Sequence, residues 1–508
     1  MAITEQHPAA ATVTPDGPAP PANPPDPRRW LALAVIAVAQ LMVVLDASIV
    51  IIALPSAQHA LHISTDNRQW VITAYGLAFG GLLLLGGRIA DFMGRKRMFV
   101  VGLLGFAAAS ALGGVAVDSA MLFSARALQG AFAALMAPAA LSLITTTFTE
   151  PKERASAFGV YGAISGGGAA IGLIMGGVLT EFASWRWCLL VNVPISLLAA
   201  GAAVRLVRES RATGQTRYDI PGVVASSAGL VSLVYGFTKA TVDGWGSPIT
   251  LVFLAAAAVL LAAFVAIERR STHPLLPLRV LLDRNRGGSF LASFMMGTAM
   301  LGMFLFLTYY FQGTLHYSAL STGFAFLPVS AGVIVGASAA SRILPRVGPR
   351  ALLFVGLLLG AVGCGWLTQL GVGSGYALHV LPAEILMSVG LGLAFVPMSS
   401  TALLGVDTHD AGVASAALNM SQQAGNALGT ALLNTIYATA VAGYLVVHGT
   451  STAATAAGQV HGYTVGFWVS TAVLAGAALV ALLLVKASRQ DLHGAPVEEP
   501  ELALAPVG

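Results

Sequence analysis

The sequence predicts an all-α membrane protein with fourteen transmembrane helices, arranged as two six-helix bundles with a two-helix insert between them. Charged residues make up 9% of the 508 residues and hydrophobic residues 56%, which leaves too few charges to cover a globular surface in water. Apolar runs of about twenty residues recur along the chain, and a helix needs this length to cross a bilayer. The basic residues gather at alternate ends of these runs.

The apolar runs define the predicted spans in chain order. The first run starts at Trp30 and is long enough to cross a bilayer, so we expect it to be a span and not a cleavable signal. The thirteenth run is long and has a polar start. The predicted spans are 30–54, 69–90, 98–117, 121–146, 156–181, 187–207, 221–240, 248–267, 288–311, 322–341, 350–370, 377–402, 412–445 and 463–486.

Loop lengths divide these spans into bundles. The two longest basic loops bracket the seventh and eighth spans, which indicates six helices, two inserted helices and six more. Internal duplication of this kind is typical of secondary transporters. The predicted division is a disordered, proline-rich tail (1–27), a first bundle (28–207), a linker with two inserted helices (208–286), a second bundle (287–486) and a C-terminal tail (487–508).

The distribution of basic residues predicts the orientation. Of the 26 Lys and Arg residues, Arg126 lies inside a span, and only Arg68, Arg186 and Lys239 flank the side opposite the tails. Loops rich in Lys and Arg stay in the cytoplasm, so both termini are predicted to be cytoplasmic. The excess of Arg over Lys and the many Ala and Gly residues are typical of a GC-rich bacterial genome. The predicted location is therefore the bacterial plasma membrane.

Several classes of function lack a sequence signal. No G-x-x-x-x-G-K-[ST] motif, nucleic-acid module or metal cluster occurs, and Cys188 and Cys364 fall within apolar spans. We therefore predict no cofactor, no metal and no nucleic-acid partner. The predicted partners are the bilayer, protons and a small amphipathic substrate. The oligomeric state is left open.

The turn between the second and third spans, GGRIADFMGRKR at 86–97, combines spaced glycines, one acid and a basic cluster. Glycines permit close helix approach, the acid can pair with a neighbouring helix end, and the bases hold the turn in the cytoplasm. The pattern resembles the G-x-x-x-D-(R)-x-G-R-K turn of the major facilitator superfamily, with Phe92 in place of the usual Arg. The resemblance implies a gating element formed by Gly87, Asp91, Gly94, Arg95 and Lys96.

Polar side chains lie inside the first and fourth spans. Asp46 occurs in LDASIVIIALP, and Arg126 and Gln129 occur in LFSARALQGAFAALMAP. Ionisable groups are costly in a bilayer, so each is a functional hypothesis, and a buried guanidinium needs a partner. The segments resemble the L-D-x-T-I-V-N-V-A-L-P and R-x-x-Q-G motifs of the fourteen-helix drug:proton antiporters. The resemblance implies proton coupling by Asp46 and Arg126, with Gln129 at the substrate; a locally packed Asp and an Arg that reaches headgroups are the alternatives.

The fifth span is dense in glycine. Small residues four apart allow close helix approach and local bending. The span resembles the antiporter motif G-x-x-x-G-P-x-x-G-G, with Leu173 in place of the proline. The resemblance assigns Gly172, Gly176 and Gly177 to this motif, and glycine packing without bending is the alternative.

A second intramembrane acid, Glu384, lies in the twelfth span with no motif around it. A rise of about 1.5 Å per residue puts it at a depth similar to that of Asp46. In the resembling fold this helix lines the central cavity, which implies that Glu384 faces Asp46 and shares in proton coupling. The alternative is a Glu bonded to a neighbouring helix and irrelevant to transport.

The ninth and thirteenth spans supply the remaining candidate substrate contacts. Met296, Met300 and Phe304 follow one side of the ninth span, and soft side chains suit varied apolar ligands; plain packing or lipid contact is an equal alternative. The thirteenth span begins with polar residues at helical spacing. From it we select Asn419 and Gln423.

The predicted function is proton-coupled export of drugs, antibiotics or other amphipathic compounds by alternating access. Two acids in an apolar cavity would favour amphipathic cations. Three alternatives remain open, namely a dedicated exporter of one endogenous metabolite or lipid, with less support a multi-spanning membrane enzyme, and substrate–proton symport inward, which differs only in direction. We expect no enzymatic activity, because no catalytic cluster is visible.

Overall fold

Helices form all of the regular structure in the described part of this computed structural model. The described residues are 27–65, 67–148, 150–211, 219–271, 278–406, 411–489 and 491. Most of both predicted tails lies outside them. The helices are α1 Arg29–Ala60, α2 Trp70–Met93, α3 Arg95–Gly114, α4 Ser119–Thr147, α5 Pro151–Phe182, α6 Trp187–Leu190, α7 Asn192–Leu206, α8 Ile220–Asp243, α9 Pro248–Arg270, α10 Leu278–Leu282, α11 Arg284–Tyr309, α12 Ala319–Ala325, α13 Leu327–Val347, α14 Pro349–Trp366, α15 Leu381–Ala402, α16 Ala411–His448 and α17 Thr452–Leu484.

Length and apolar composition make many of these helices membrane spans. Among the described residues, eleven helices are long and apolar enough to cross a bilayer. Three shorter apolar segments lie in α2, α5 and α8, at Trp70–Leu83, Gly168–Phe182 and Pro221–Phe237. The protein is therefore a multi-pass helical membrane protein, and the count of fourteen spans stays a prediction.

The helix packing repeats along the chain. In the first half, α1–α7, the packed pairs include α1 with α5, α2 with α4, and α3 with both α4 and α7. In the second half, α11–α17, α11 packs with α16, α13 with α15, and α14 with both α15 and α17. These pairs correspond in order, so α4 and α15 occupy equivalent places. The turns also correspond, because Gly94 before α3 and Gly348 before α14 both have a positive φ, 109° and 86°.

The inserted helices lie beside the seam between the halves. Helices α8 and α9 pack on each other, and α8 contacts both α2 and α16. The hydroxyl of Ser227 in α8 donates to the carbonyl oxygen of Gly81 at 2.6 Å. The insert therefore touches both halves and does not extend one of them.

Several predicted spans are interrupted or lengthened. The sixth is divided at Val191 between α6 and α7, and a π-helical turn, Tyr310–Thr314, continues α11. Helix α17 starts eleven residues before the apolar run that predicted it, because Ser451 caps its N-terminus by accepting from the backbone N–H of Ala454. Caps and turns act on backbone groups, so a search for apolar runs does not find them.

We call the end of the bundle that carries Arg29 the tail end, and the opposite end, which carries Ala60 and Trp70, the far end. The two halves contact each other near the far end. Glu181 of α5 accepts from the backbone N–H of Leu320 in α12 at 2.9 Å, and Gln312 donates to the carbonyl oxygen of Ile52 in α1 at 3.1 Å. The seam is thus closed by direct hydrogen bonds at the far end.

Candidate functional site

Asp46 is the centre of a buried polar network inside the first half. Its Oδ2 accepts from Nη1 of Arg126 at 2.6 Å. Its Oδ1 accepts from the side-chain amides of Gln129 at 3.0 Å and Asn192 at 2.8 Å. Asp46 and Gln129 are fully buried, and Arg126 is 1% exposed. The network therefore ties α1 to α4 and α7 through one carboxylate.

Arg126 has partners on every side. Its Nη1 also donates to Oε1 of Gln129 at 2.8 Å, and its Nε donates to the carbonyl oxygen of Val71 in α2 at 2.9 Å. The guanidinium carbon lies 4.5 Å from the ring centroid of Tyr75. A buried cation is stable only when a charge and hydrogen bonds offset its lost hydration, and this site supplies both. Arg126 thus pairs with Asp46 and does not reach lipid headgroups.

Two members of this network, Asn192 and Ser110, were not predicted from the sequence. Asn192 begins α7, and Ser110 of α3 accepts from Nε2 of Gln129 at 2.7 Å. Both side chains are fully buried. An amide inside an apolar segment, VNVPI, is itself an unusual feature, and the rule that marked Asp46 could have marked Asn192. Ser110 carries no such signal, because serine is common in membrane helices.

Glu384 lies in the first turn of α15, fully buried and within the second half. Its Oε2 accepts from the hydroxyl of Tyr376 at 3.2 Å, and that hydroxyl also contacts the carbonyl oxygen of Ala325 at 2.8 Å. Its Oε1 has no hydrogen-bond partner among the described residues. No described ion pair or hydrogen bond joins Glu384 to Asp46, so each acid is held inside its own half.

The predicted substrate contacts on α11 differ in their position relative to the two halves. Met296 is buried in the second-half core, while Met300 and Phe304 are partly buried. Phe304 packs against core residues of both halves, and its ring lies 5.5 Å from that of Phe326. Phe304 therefore lies at the boundary between the two halves.

The other predicted substrate contacts differ in exposure. Gln129 is enclosed in the Asp46 network, so in this conformation it does not form an open wall. Asn419 is exposed and donates to the backbone of Ser415 at 3.0 Å. Gln423 is partly buried and accepts from Asn426 at 2.9 Å. A Cβ at Gly80 of α2 would lie 2.8 Å from the Gln423 Cβ, so Gln423 lies directly at the seam.

The glycines of α5 bring backbones together on two sides. A Cβ at Gly176 would lie 2.9 Å from the carbonyl oxygen of Ile49 in α1, and one at Gly172 would overlap Ser48. A Cβ at Gly177 would lie 2.6 Å from the Cα of Leu320, in the other half. The three predicted glycines therefore form a close-packing helix that touches both its own half and the opposite one.

The turn after α2 is held by an acid that sequence analysis did not select. Gly94 has φ of 109°, and a Cβ there would lie 2.7 Å from the carboxylate of Glu209. Glu209 accepts from the backbone N–H groups of Lys96 at 3.0 Å and Arg97 at 3.2 Å. Its carboxylate thus caps the positive N-terminal end of α3. The sequence signal that could have identified Glu209 is its position as the single acid in the basic segment 205–211.

The other predicted turn residues make separate contacts around this cap. A Cβ at Gly87 would lie 3.3 Å from Pro138 of α4, and Lys96 Nζ donates to the carbonyl oxygen of Val204 at 2.7 Å. The backbone N–H of Arg95 donates to the carbonyl oxygen of Ser210 at 3.0 Å. The side chain of Asp91 lies outside what the structure describes.

Comparisons with known proteins place this architecture in a family. The chain is 53% identical over 464 residues to the puromycin resistance protein pur8 of Streptomyces alboniger, covering 91% of this chain and 92% of that protein. It is 38% identical over 416 residues to the cephamycin export protein CmcT of Amycolatopsis lactamdurans, covering 81% and 86%.

Solved structures agree on the fold. A bacterial homologue of the human lysosomal transporter Spinster, crystallised inward-facing and unoccupied, superposes with a TM-score of 0.64 at 15% identity, over 92% of this chain and 98% of that one. The sequence profile of the Major Facilitator Superfamily matches residues 36–430. With a buried Asp–Arg pair in repeated helical halves and a family match over most of its length, the chain belongs to the Major Facilitator Superfamily.

Proposed function

We propose that the protein exports amphipathic antibiotics across the bacterial plasma membrane in exchange for protons, by alternating access between two halves joined by a two-helix insert. The main support for this proposal is the buried Asp46–Arg126 pair at 2.6 Å, in which Gln129 and Asn192 also donate hydrogen bonds to Asp46. Fourteen spans, with the bundle boundaries predicted above, are part of this proposal. The relatives are named for resistance and export, which supports transport over a membrane enzyme.

Protonation of Asp46 is the coupling step in this scheme. The ionised carboxylate holds α1, α4 and α7 together, because Arg126, Gln129 and Asn192 all donate to it. A neutral carboxyl accepts these bonds far less strongly, since charge-assisted hydrogen bonds are about twice as strong as neutral ones. Proton binding therefore loosens the three helices, and proton release draws them together again.

The described conformation corresponds to the inward-facing state in this proposal. The halves are joined at the far end, through Glu181 with Leu320 and Gln312 with Ile52. The tail-end hydrogen bonds of Arg29 with Glu153 and of Arg350 with Leu482 each stay within one half. The basic residues flank the tail end, which supports a cytoplasmic tail end. A path from the cytoplasm would then open between the halves.

The substrate class follows from the relatives and the seam. The protein that is 53% identical is named for puromycin resistance, and puromycin is an amphipathic amine. Met300, Phe304 and Gln423 offer an apolar wall with one amide at the seam. Glu384 would attract the amine, because a carboxyl with one unsatisfied oxygen gains a partner when a cation enters. The alternative is a substrate range limited to one self-made compound. The cephamycin relative supports it, because that protein is named for the export of a single compound.

The tail-end turn is the proposed cytoplasmic gate. Glu209 ties α3 to the segment after α7, so this corner moves as one unit. Asp91 would contact a cytoplasmic helix end or base when the outside is open. Asp91→Ala is then expected to lower turnover more than substrate affinity; a change in affinity alone would make the turn part of the binding site.

Purified protein in liposomes tests the proposed function. Puromycin, a lipophilic cation and a neutral antibiotic are added in turn, and internal pH is followed with a trapped dye. We expect puromycin to drive proton movement in the opposite direction, and a panel restricted to one active compound would favour the dedicated exporter. Transport of puromycin that moves no protons, and that ignores an imposed pH gradient, would refute the proposed coupling.

A further inference from the structure

Arg68 is a buried cation held by aromatic rings. It lies between α1 and α2 at the far end and is 3% exposed. Its guanidinium carbon is 4.0 Å from the ring centroid of Tyr309 and 5.0 Å from that of Tyr437. Its Nε donates to Oδ1 of Asn434 at 3.3 Å, while its Nη2 has no hydrogen-bond partner among the described residues.

All three partners belong to the opposite half. Tyr309 ends α11, and Asn434 and Tyr437 lie on α16, whereas Arg68 is joined to α2 of the first half. A second bond crosses beside it, from the amide of Asn434 to the carbonyl oxygen of Thr65 at 3.3 Å. Tyr309 also donates through its hydroxyl to the side chain of Gln58 in α1. The Arg68 contacts therefore cross the boundary between the halves, and separation of the halves at the far end would break them.

The strength of these contacts suits a closure that must be reversed. No described carboxylate lies within ion-pair distance of Arg68. Breaking a buried ion pair costs about 3–5 kcal/mol, whereas a cation over aromatic rings contributes about 0.5–2 kcal/mol. When the halves part, water can also hydrate the guanidinium directly. The contacts thus favour closure without fixing it, in contrast to the Asp46–Arg126 pair inside one half.

We propose that Arg68, with Tyr309, Tyr437 and Asn434, is a reversible latch that closes the far end. The role rests on the proposed alternating access, because a latch matters only if the far end opens. Tyr437 anchors the latch in the second half by stacking on Tyr463, with ring centroids 5.0 Å apart. Arg68 is therefore a positioning residue for transport and takes no part in proton binding.

The experiment reads the opening of the far end directly. Cys188 and Cys364, the free cysteines of the described chain, are replaced by Ala, and Ile52→Cys becomes the reporter. Ile52 is fully buried against second-half residues at the seam, so it reacts with a membrane-impermeant maleimide only when the seam opens. Intact cells and inside-out vesicles probe the two faces separately. Arg68→Gln, Arg68→Lys, Asn434→Ala and Asn434→Asp are compared in this background.

Arg186→Gln is the matched control. Arg186 is also a far-end arginine, stacked 4.5 Å from the ring centroid of Trp185 and bonded to the carbonyl oxygen of Ala116 at 2.7 Å. The partners of Arg186 lie in the same half as Arg186. Arg186→Gln therefore removes the same kind of contact but leaves the contacts between the halves intact. We expect reporter labelling from the far face about two to thirty times faster in Arg68→Gln, unchanged in Arg186→Gln, and slower in Asn434→Asp, which adds a carboxylate.

The outcomes separate the latch from the proposed function. Wild-type labelling that does not respond to puromycin or to a pH gradient would refute alternating access. A wild-type response, combined with equal labelling in Arg68→Gln and Arg186→Gln, would refute the latch alone. If Arg68→Gln does not reach the membrane, Asn434→Ala decides in the same way, with faster labelling supporting the latch and wild-type labelling overturning it.

Discussion

Asp46 and Glu384 are both fully buried acids, one in each half, but their surroundings differ. Asp46 accepts from three side chains on two other helices, one of which is the cation Arg126. Glu384 accepts from one phenol and keeps one oxygen without a partner. Arg126 lies on α4, and Glu384 lies on α15, the equivalent helix of the second half. The equivalent helices of the two halves therefore carry different groups: a cation paired with an acid on α4, and an acid without a described cationic partner on α15.

The comparison shows that burial alone does not define the role of an intramembrane acid. A carboxylate paired with a cation is stable in its ionised form, whereas one without a cationic partner is expensive to bury unless it is protonated. In the proposed coupling, Asp46 alternates between holding Arg126 and holding a proton. No cation pairs with Glu384 among the described residues, and the proposed function gives that place to a cationic substrate.

The largest expected effect is at Asp46. Asp46→Asn should abolish efflux driven by a pH gradient, because the amide cannot exchange a proton. Asp46→Glu, which restores a titratable group, should recover part of the activity. Asp118→Asn is the matched control, since Asp118 is exposed and its described hydrogen bond caps α4, by accepting from the backbone N–H of Met121 at 2.8 Å. Protein in the membrane is quantified for each; gradient-driven efflux at the wild-type rate in Asp46→Asn would remove Asp46 from coupling.

Arg126→Lys should have the next largest effect. Lysine keeps the charge but cannot reach Asp46, Gln129 and the Val71 carbonyl oxygen together, because it lacks the planar fork. We expect the free energy of unfolding to fall by about 2–3 kcal/mol, with a strong loss of efflux. Thermal unfolding of the purified protein measures the first and dye efflux the second. Arg186→Lys controls for a lost arginine, and equal values for the two variants would show that the Asp46 pair has no special role.

Glu384→Gln should have a smaller and selective effect. The substitution keeps size and hydrogen bonding but removes the charge, so a cationic substrate loses about 1–2 kcal/mol of attraction and a neutral one loses nothing. Efflux of a cationic dye and of a neutral antibiotic is compared at equal expression. Equal loss for both substrates would assign Glu384 to coupling or folding, which would bring it closer to Asp46. No loss for either would place it off the pathway.

The smallest expected effect is at Asn192. Asn192→Ala removes one of three hydrogen bonds to Asp46, so we expect about 1 kcal/mol less stability and a severalfold reduction of efflux. Ser196→Ala, one turn further along α7, is the control, because the hydroxyl of Ser196 donates to the Met42 sulfur at 2.8 Å and, among the described residues, has no hydrogen bond to Asp46. Thermal unfolding and pH-driven efflux are measured together. A larger effect at Ser196 than at Asn192 would locate the sensitivity of α7 in packing and not in the Asp46 network.

The multi-pass helical character and the strongest candidate residues could be read from the sequence. Apolar runs act locally, through the length of a span, so their consequence does not depend on a distant partner. The fourteen spans and the orientation read from the basic loops stay predictions. Asp46 and Arg126 were found in the same way, because an ionisable group inside an apolar run is unusual by itself. Gly94 was selected by its resemblance to the family's turn, and its positive φ gives the physical reason for a glycine there.

Only the tertiary structure decided which groups meet. Asn192 reaches Asp46 from 146 residues away, and Arg68 meets Asn434 across 366 residues. Glu384 was predicted to face Asp46, but its described partner is Tyr376, eight residues before it. Helical periodicity tells which face a residue shares, but not which other helix packs against that face. The group that packs against a buried acid determines whether a cation stabilises its charge, as Arg126 does for Asp46, or whether it has no cationic partner, as with Glu384 among the described residues. Packing, and not local sequence, therefore set the surroundings of these acids.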